Sequence, residues 1–182
     1  PDMQTLLITG GSLGALNVNR AMVKVAAELP DGVQVVHLTG KGKDQEVRDA
    51  VKAAGVADRW HVIDYLSTME DALAVADLVV CRSGAGTVAE MTALGLPCVY
   101  VPLPIGNGEQ KLNAADHVAQ GGALLVADHE LTADYVRGTI FPLPGSEKLS
   151  EMAIASRALA RPDGAQQLAD LIESTLQKKD QK

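Results

Sequence analysis

The sequence is short of aromatic residues, of basic charge and of long apolar runs. One Trp, three Tyr and one Phe among 182 residues leave too few rings to stack nucleic-acid bases in series. With 16 basic against 23 acidic residues the net charge is -7, which disfavours nucleic acid or an anionic membrane surface as the main partner. Apolar runs such as residues 77–81 are far shorter than the ~20 residues of a membrane helix. This composition is typical of a globular domain.

Metal-binding and disulfide-forming residues are also scarce. The two cysteines, Cys81 and Cys98, each lie in an apolar strand-like run, so we expect buried, reduced thiols in a cytoplasmic protein. No pair of histidines supplies the ligands that two cysteines would need for a structural zinc site. We therefore expect no metal and no cofactor. The N-terminus carries no secretory signal pattern and runs almost directly into a strand, as in a domain cut from a longer chain.

Apolar and amphipathic segments alternate along the chain. Apolar segments predict six strands, at Thr5–Thr9, Val33–Leu38, Trp60–Ile63, Leu78–Cys81, Cys98–Val101 and Ala123–Val126. Amphipathic segments predict helices between and after them, at Leu16–Leu29, Lys43–Ala54, Thr68–Val75, Thr87–Leu94, Gln110–Gln120 and Thr132–Ile140. This alternation predicts one α/β domain over residues 1–182, built on a doubly wound six-stranded parallel sheet. Residues 142–182 add two further helices, Glu147–Leu159 and Gly164–Leu176, and a fraying tail.

A glycine-rich loop, Gly10–Ala15, follows the first predicted strand. Its glycines allow close approach of a ligand to the backbone, and the next helix directs N–H groups toward an anion. The register is wrong for dinucleotide binding, because Thr9 stands where the first glycine of that motif belongs. A tight turn that binds no ligand is the alternative reading.

A second loop, Arg82–Glu90, follows the fourth predicted strand and is again rich in glycine. Its amides suit phosphate oxygens, and the carboxylate of Glu90 suits the two hydroxyls of a ribose. The alternative is a capping box, in which Thr87 and Glu90 only satisfy backbone donors.

A third loop, Pro102–Asn113, follows the fifth predicted strand and supplies Glu109, Gln110 and Asn113. Amide side chains both donate and accept hydrogen bonds, which suits sugar hydroxyls. The alternative is a polar loop in which Asn107 caps the next helix. All three loops fall at one sheet edge, where open parallel sheets bind ligands.

Several catalytic motifs are missing. The sequence has no phosphate-binding loop of the Walker type and no nucleophile elbow. Its four histidines are scattered over predicted strands and helices, and none is a convincing general base.

The loops together resemble the MurG family of bacterial peptidoglycan glycosyltransferases. The matching segments are Gly10–Ala15, Arg82–Glu90, Gly95–Pro97 and Glu109–Ala114. The resemblance covers essentially the whole chain, but only the C-terminal, donor-binding half of that two-domain GT-B enzyme. It implies a Rossmann-like domain that binds UDP-GlcNAc, and a full-length, metal-independent inverting transferase that passes GlcNAc to lipid I to make lipid II.

The same resemblance implies roles for individual residues. Ser12 and Gly14 would lie near the diphosphate, with Ala85, Gly86 and Thr87 also meeting its phosphates. Glu90 would hold the uridine ribose, while Tyr65 and Leu66 would frame uracil. Glu109 and Gln110 would read GlcNAc hydroxyls, although the family often has His-Gln or Gln-Gln there. The remaining motif residues are Arg82 and Asn113.

The resemblance places the catalytic base, the lipid I site and most membrane contact in an absent N-terminal domain. This piece alone would then bind donor but be inactive, and the whole enzyme would work on the cytoplasmic face of the inner membrane. Two alternatives stay open: a non-catalytic UDP-sugar-binding subunit of a split transferase, and half of a UDP-GlcNAc epimerase.

Overall fold

The fold is built on one parallel β-sheet with helices on both faces. A computed structural model describes residues 3–11, 14–160, 166–167 and 169–174. The six strands are β1 (Gln4–Thr9), β2 (Val33–Leu38), β3 (Trp60–Ile63), β4 (Leu78–Cys81), β5 (Cys98–Tyr100) and β6 (Ala123–Leu125).

The helices alternate with the strands. They are α1 (Leu16–Val23), α2 (Gln45–Ala53), α3 (Met69–Ala74), α4 (Ala85–Leu94), α5 (Glu109–Asn113), α6 (Ala115–Ala119), α7 (Ala133–Tyr135) and α8 (Glu147–Ala158). Short 3-10 turns occupy Ala26–Glu28 and Asp128–Glu130, and a π-helical turn, Val136–Ile140, extends α7.

The sheet has the strand order β3-β2-β1-β4-β5-β6, and every neighbouring pair is parallel. Strand β4 is buried at every position and β1 at all but its first, as expected for strands covered on both faces. One apolar cluster, including Leu6, Val80 and Met152, lies on one face. A second, including Leu7, Val79 and Met91, lies on the other. The doubly wound parallel fold is confirmed.

Several predicted helix boundaries were wrong. The helix predicted over Leu16–Leu29 ends at Val23, because Val25 leaves helical geometry at φ -115° and ψ 18°. A 3-10 turn follows, and Leu29, which precedes Pro30, is extended with a ψ of 122°. The helix predicted over Gln110–Gln120 is divided by a turn at Ala114, where ψ flattens to -10°. The Thr132–Ile140 segment widens into the π-helical turn, which buries Val136 and Ile140.

The second predicted C-terminal helix is described only in part. Residues 166–167 and 169–174 are helical, while the rest of Gly164–Leu176 and the tail at 177–182 lie outside the described residues. No helix in the described part of the chain is long and apolar enough to cross a membrane.

Candidate functional site

The carboxyl ends of β1 and β4 mark the place where the strand order reverses. From β1 the chain proceeds outward through β2 and β3, and from β4 it proceeds the other way through β5 and β6. The loops that leave β1 and β4 therefore diverge and open a crevice, which is where open α/β sheets bind ligands.

A cavity of about 250 Å³ occupies this crevice, and we call it the switch-point cavity. It is lined by Thr9, Gly11, Leu38, Gly40, Asp64, Tyr65, Leu66, Met69, Cys81, Arg82, Thr87, Glu90 and Met91. Five of the predicted site residues therefore share one cavity: Tyr65, Leu66, Arg82, Thr87 and Glu90. The other predicted residues with a described position do not line it; these are Gly14, Ala85, Gly86, Glu109, Gln110 and Asn113. Ser12 lies outside the described residues.

Sequence reasoning missed much of the cavity wall. Leu38 and Gly40 come from the end of β2, and Asp64 and Met69 come from the segment after β3. Strand β2 lies next to β1, and β3 lies next to β2, so the sheet order is the signal that would have found these residues. Asp64 also accepts a hydrogen bond from the Tyr65 backbone N–H at 2.8 Å, which shapes the wall locally.

Among the described residues, the N-termini of α1 and α4 at this edge have no side-chain cap. Helix α4 begins after Gly84 and α1 begins after Ala15, and neither residue caps its helix through a side chain. Neither first turn contains an acidic residue. By contrast, Thr132 and Ser146 each accept a backbone N–H at the start of α7 and α8. The N–H groups and positive dipole ends of α1 and α4 are thus available to an anion.

The capping-box alternative for α4 was wrong. Because α4 begins at Ala85, Thr87 lies inside its first turn and is not the N-cap residue. Glu90 is exposed, and within the part of the chain that the structure describes its carboxylate has no hydrogen-bond or ion-pair partner. Glu90 lines the cavity, and no described residue occupies the acceptor oxygens of its carboxylate.

The glycines of the loops serve different purposes. A Cβ at Gly14 would come within 2.0 Å of the Thr39 carbonyl oxygen, and its φ of +66° disfavours other residues. Close packing therefore accounts for Gly14 without a ligand. A Cβ at Gly86 would meet no described atom within 4 Å, so no such contact in the protein requires glycine there.

The third loop is ordered by its own polar side chains. The Asn107 N–H donates to Glu109 Oε2 at 3.0 Å, and the Leu103 N–H donates to Gln110 Oε1 at 2.9 Å. Asn113 Nδ2 donates to the Ser83 carbonyl at 3.1 Å and so connects this loop to the end of β4. The Asn107 cap was wrong, because the N-cap residue of α5 is Gly108.

Arg82 is partly buried and strongly engaged. Its Nη1 donates to the carbonyls of Val101 and Pro102 at 3.0 and 3.1 Å. The same atom lies 2.5 Å from Asp128 Oδ1 as an ion pair without hydrogen-bond geometry. Asp128 was not predicted from the sequence, since nothing in its polar segment after β6 indicates a partner of Arg82.

The buried titratable groups near the sheet are held neutral. Burial lowers the pKa of His37 to about 3 and also lowers the pKa of His117. A hydrogen bond with Cys98 and complete burial raise the pKa of the Cys81 thiol well above its usual range. Both cysteines are free and buried, as predicted. None of these groups is suited to act as a general base at neutral pH.

Related proteins share this sequence and fold. Curated relatives named UDP-N-acetylglucosamine--N-acetylmuramyl-(pentapeptide) pyrophosphoryl-undecaprenol N-acetylglucosamine transferase include one from Bifidobacterium adolescentis. It is 52% identical over 153 residues, which are 77% of this chain and 39% of that protein. One from Paenarthrobacter aurescens is 46% identical over 92% of this chain and 45% of that protein. The chain thus spans less than half the length of these relatives.

Solved structures agree with the sequence comparisons. Acinetobacter baumannii MurG superposes with a TM-score of 0.85 at 29% identity, covering 94% of this chain and 52% of that one. A putative UDP-N-acetylglucosamine 2-epimerase from Listeria monocytogenes superposes at 0.67 with 19% identity, covering 97% and 46% of the two chains, which shows a shared fold alone. The resemblance to the MurG family is confirmed. Residues 5–168 match the glycosyltransferase family 28 C-terminal domain, and the chain belongs to that family.

Proposed function

We propose that this chain is the donor domain of an N-acetylglucosaminyltransferase and binds UDP-GlcNAc in and around the switch-point cavity. The observation that carries the proposal is the uncapped first turn of α4 beside the carboxylate of Glu90, which has no partner in the described part of the chain. The N-terminus of α4 attracts a diphosphate, and the Glu90 carboxylate accepts hydrogen bonds from a ribose. The names of the relatives support the same donor.

The diphosphate lies at the N-terminus of α4 in this proposal, with α1 on the other side of the crevice. Backbone amides of Ala85, Gly86 and Thr87 donate to phosphate oxygens, and the helix dipole adds partial positive charge. The absent Cβ of Gly86 leaves room for a phosphate to approach the backbone. Charge that develops on departing UDP is stabilised by these fixed dipoles, so the proposed reaction needs no metal ion. Ser12 and Gly14 precede α1 in the sequence, and we assign them to the same phosphates.

The nucleoside fills the cavity between the segment after β3 and the first two turns of α4. Tyr65 and Leu66 border this space, and Leu66 is half-buried. We assign the uracil ring to this wall, with backbone groups of Leu66 as its hydrogen-bond partners. Glu90, on the opposite wall, accepts hydrogen bonds from both ribose hydroxyls.

The sugar is assigned to the third loop. Gln110 both donates and accepts, and we assign it to the GlcNAc hydroxyls. In the ligand-free arrangement its Oε1 accepts the Leu103 N–H, so sugar binding must share or replace that bond. Glu109 only accepts when ionised, and it already accepts the Asn107 N–H. Gln110 is therefore the stronger candidate of the two.

The rest of the reaction is assigned to the part of the longer relatives that this chain does not span. The proposed acceptor is lipid I, the product is lipid II, and the acceptor site, the general base and most membrane contact lie in that other part. The proposed location is the cytoplasmic face of the bacterial inner membrane. We treat residues 1–182 as one donor-binding domain that binds the donor without turning it over.

Calorimetric titration tests this assignment. The chain is titrated with UDP-GlcNAc, UDP-GalNAc, UDP and NAD in buffer containing EDTA. We expect saturable binding of the uridine nucleotides, tighter binding of UDP-GlcNAc than of UDP, and none of NAD. Binding of NAD but not UDP would contradict the proposal. UDP binding as tight as that of UDP-GlcNAc would instead indicate a general nucleotide-binding module.

A further inference from the structure

A partly buried ion pair connects the end of β4 to the segment after β6. Arg82 and Asp128 are 13% and 15% exposed, and their Nη1 and Oδ1 atoms lie 2.5 Å apart. A pair shielded from water to this degree interacts more strongly than a surface pair, because solvent screens it less. Removing the charge of either partner leaves the other uncompensated.

The same guanidinium also holds the end of β5. Its Nη1 donates to the Val101 carbonyl at 3.0 Å and to the Pro102 carbonyl at 3.1 Å. Pro102 begins the third loop, which carries Gln110, and Val101 directly precedes it. The position of Arg82 therefore couples the β4 loop to the proposed sugar-binding loop.

Asp128 extends the connection to α1. Its backbone carbonyl accepts a hydrogen bond from Asn17 Nδ2 at 2.5 Å, and Asn17 lies in the first turn of α1. The two residues are 111 positions apart in the sequence. We call Asn17, Arg82 and Asp128 the interloop brace, because together they join the segments that follow β1, β4, β5 and β6.

We propose that the interloop brace positions the donor-binding loops relative to one another, and that Asp128 and Asn17 are positioning residues for donor binding. This inference rests on the proposed function. Arg82 lines the switch-point cavity, but its charge is directed to Asp128 and to two carbonyls. It acts through the loops that it holds and is not itself the phosphate ligand.

Asp128→Asn separates this role from direct phosphate binding. The substitution keeps the shape of the side chain and removes the charge that holds Arg82. If Arg82 bound phosphate itself, releasing the Arg82 side chain from Asp128 would leave the affinity for UDP unchanged or raise that affinity. The brace predicts the opposite: a dissociation constant for UDP and UDP-GlcNAc raised about tenfold, because misplaced groups lose binding energy.

Asn17→Ala tests the brace without disturbing a buried charge. Asn17 is exposed, so we expect an unchanged melting temperature and a dissociation constant for UDP raised about threefold. Arg20→Ala is the matched control, since Arg20 lies on the same helix and pairs with Glu46. It should bind UDP as the unaltered chain does. Unchanged affinity in both folded Asp128→Asn and Asn17→Ala would overturn the proposal.

Amide hydrogen exchange gives a readout that needs no ligand. The brace predicts faster exchange at residues 14–17 and 103–108 in Asp128→Asn than in Arg20→Ala. If Asp128→Asn does not fold, Asn17→Ala is compared with Arg20→Ala instead. Equal exchange in these segments would overturn it. Should the unaltered chain bind no uridine nucleotide, the proposed function fails, while this comparison still decides whether the brace orders the loops.

Discussion

At the scale of single residues, Gly14 and Gly86 show that neighbouring glycine-rich loops use glycine for different reasons. Gly14 lies against the Thr39 carbonyl at a positive φ, so its absent side chain is needed for packing. Gly86 stands in the first turn of α4 with open space beside it. Glycine in a helix costs about 0.5–1 kcal/mol relative to alanine, and no contact within the described residues accounts for that cost.

Gly86→Ala should therefore stabilise the protein and weaken donor binding. We expect the free energy of unfolding to rise by about 0.5–1 kcal/mol, because alanine is the better helix former. The dissociation constant for UDP should rise by about tenfold, because the new methyl group stands where a phosphate would approach. Urea unfolding and calorimetric titration measure the two quantities.

Gly138→Ala is the matched control for that substitution. Gly138 also has open space beside it and lies in the π-helical turn away from the cavity. It should change the affinity for UDP by no more than experimental error. A Gly86→Ala protein that binds UDP normally would contradict a phosphate site at this turn.

Glu90→Ala should weaken UDP binding by about 1–3 kcal/mol, which is the cost of leaving hydrogen-bonding groups without their partner. Stability should change by less than about 0.5 kcal/mol, because Glu90 has no hydrogen bond or ion pair to the described part of the chain.

A UDP analogue that lacks both ribose hydroxyls completes this test. The unaltered chain should prefer UDP to the dideoxy analogue, and the Glu90→Ala protein should bind the two equally well. If the preference for UDP survived in the variant, the ribose contact would have to be made by another residue.

At the scale of secondary-structure elements, the buried side chain of His37 connects a helix to the sheet through hydrogen bonds. The Trp60 Nε1–H donates to His37 Nδ1 at 3.3 Å, so His37 Nε2–H donates to Asn19 Oδ1 at 3.0 Å. Asn19 Nδ2 in turn donates to the Thr39 carbonyl at 3.0 Å. This chain joins α1 to β2 and β3, and it fits only a neutral imidazole.

Stability should consequently fall as the pH is lowered. His37 binds a proton near pH 6.5 when unfolded but only near pH 3 when folded, so protonation favours the unfolded chain between these values. Its contribution to the free energy of unfolding should be about 2 kcal/mol lower at pH 5 than at pH 7.5. The lowered pKa of His117 acts in the same direction.

Urea unfolding at the two pH values measures this loss. A His129→Gln protein, altered at an exposed histidine, should lose as much stability as the unaltered chain. A folded His37→Gln protein should lose markedly less. An identical pH dependence in the two variants would show that His37 is not its source.

At the scale of the whole molecule, the fold and the site were predictable to different degrees. Strands such as Leu78–Cys81 are recognisable because burial on both faces makes them apolar throughout. The ends of helices were less predictable. Helix α4 starts at Ala85 because the backbone is still extended at Gly84, and the spacing from Thr87 to Glu90 matched that of a capping box that does not form.

Contacts between segments that are distant in the chain could not be predicted from the sequence. The pairing of Arg82 with Asp128 and the wall contributed by Leu38 and Asp64 depend on strand order, which only the folded sheet fixes. The resemblance identified Glu90 and Thr87 beside the cavity. It did not distinguish Gly14, which has a packing reason, from Gly86, which has none among the described atoms.

The most direct test of the account is a crystal structure of this chain with UDP-GlcNAc, grown in the presence of EDTA. We predict the diphosphate within hydrogen-bond distance of the amides at residues 85–87, and both ribose hydroxyls on the Glu90 carboxylate. A donor bound away from the switch-point cavity, or one that binds only after a divalent cation is added, would contradict it.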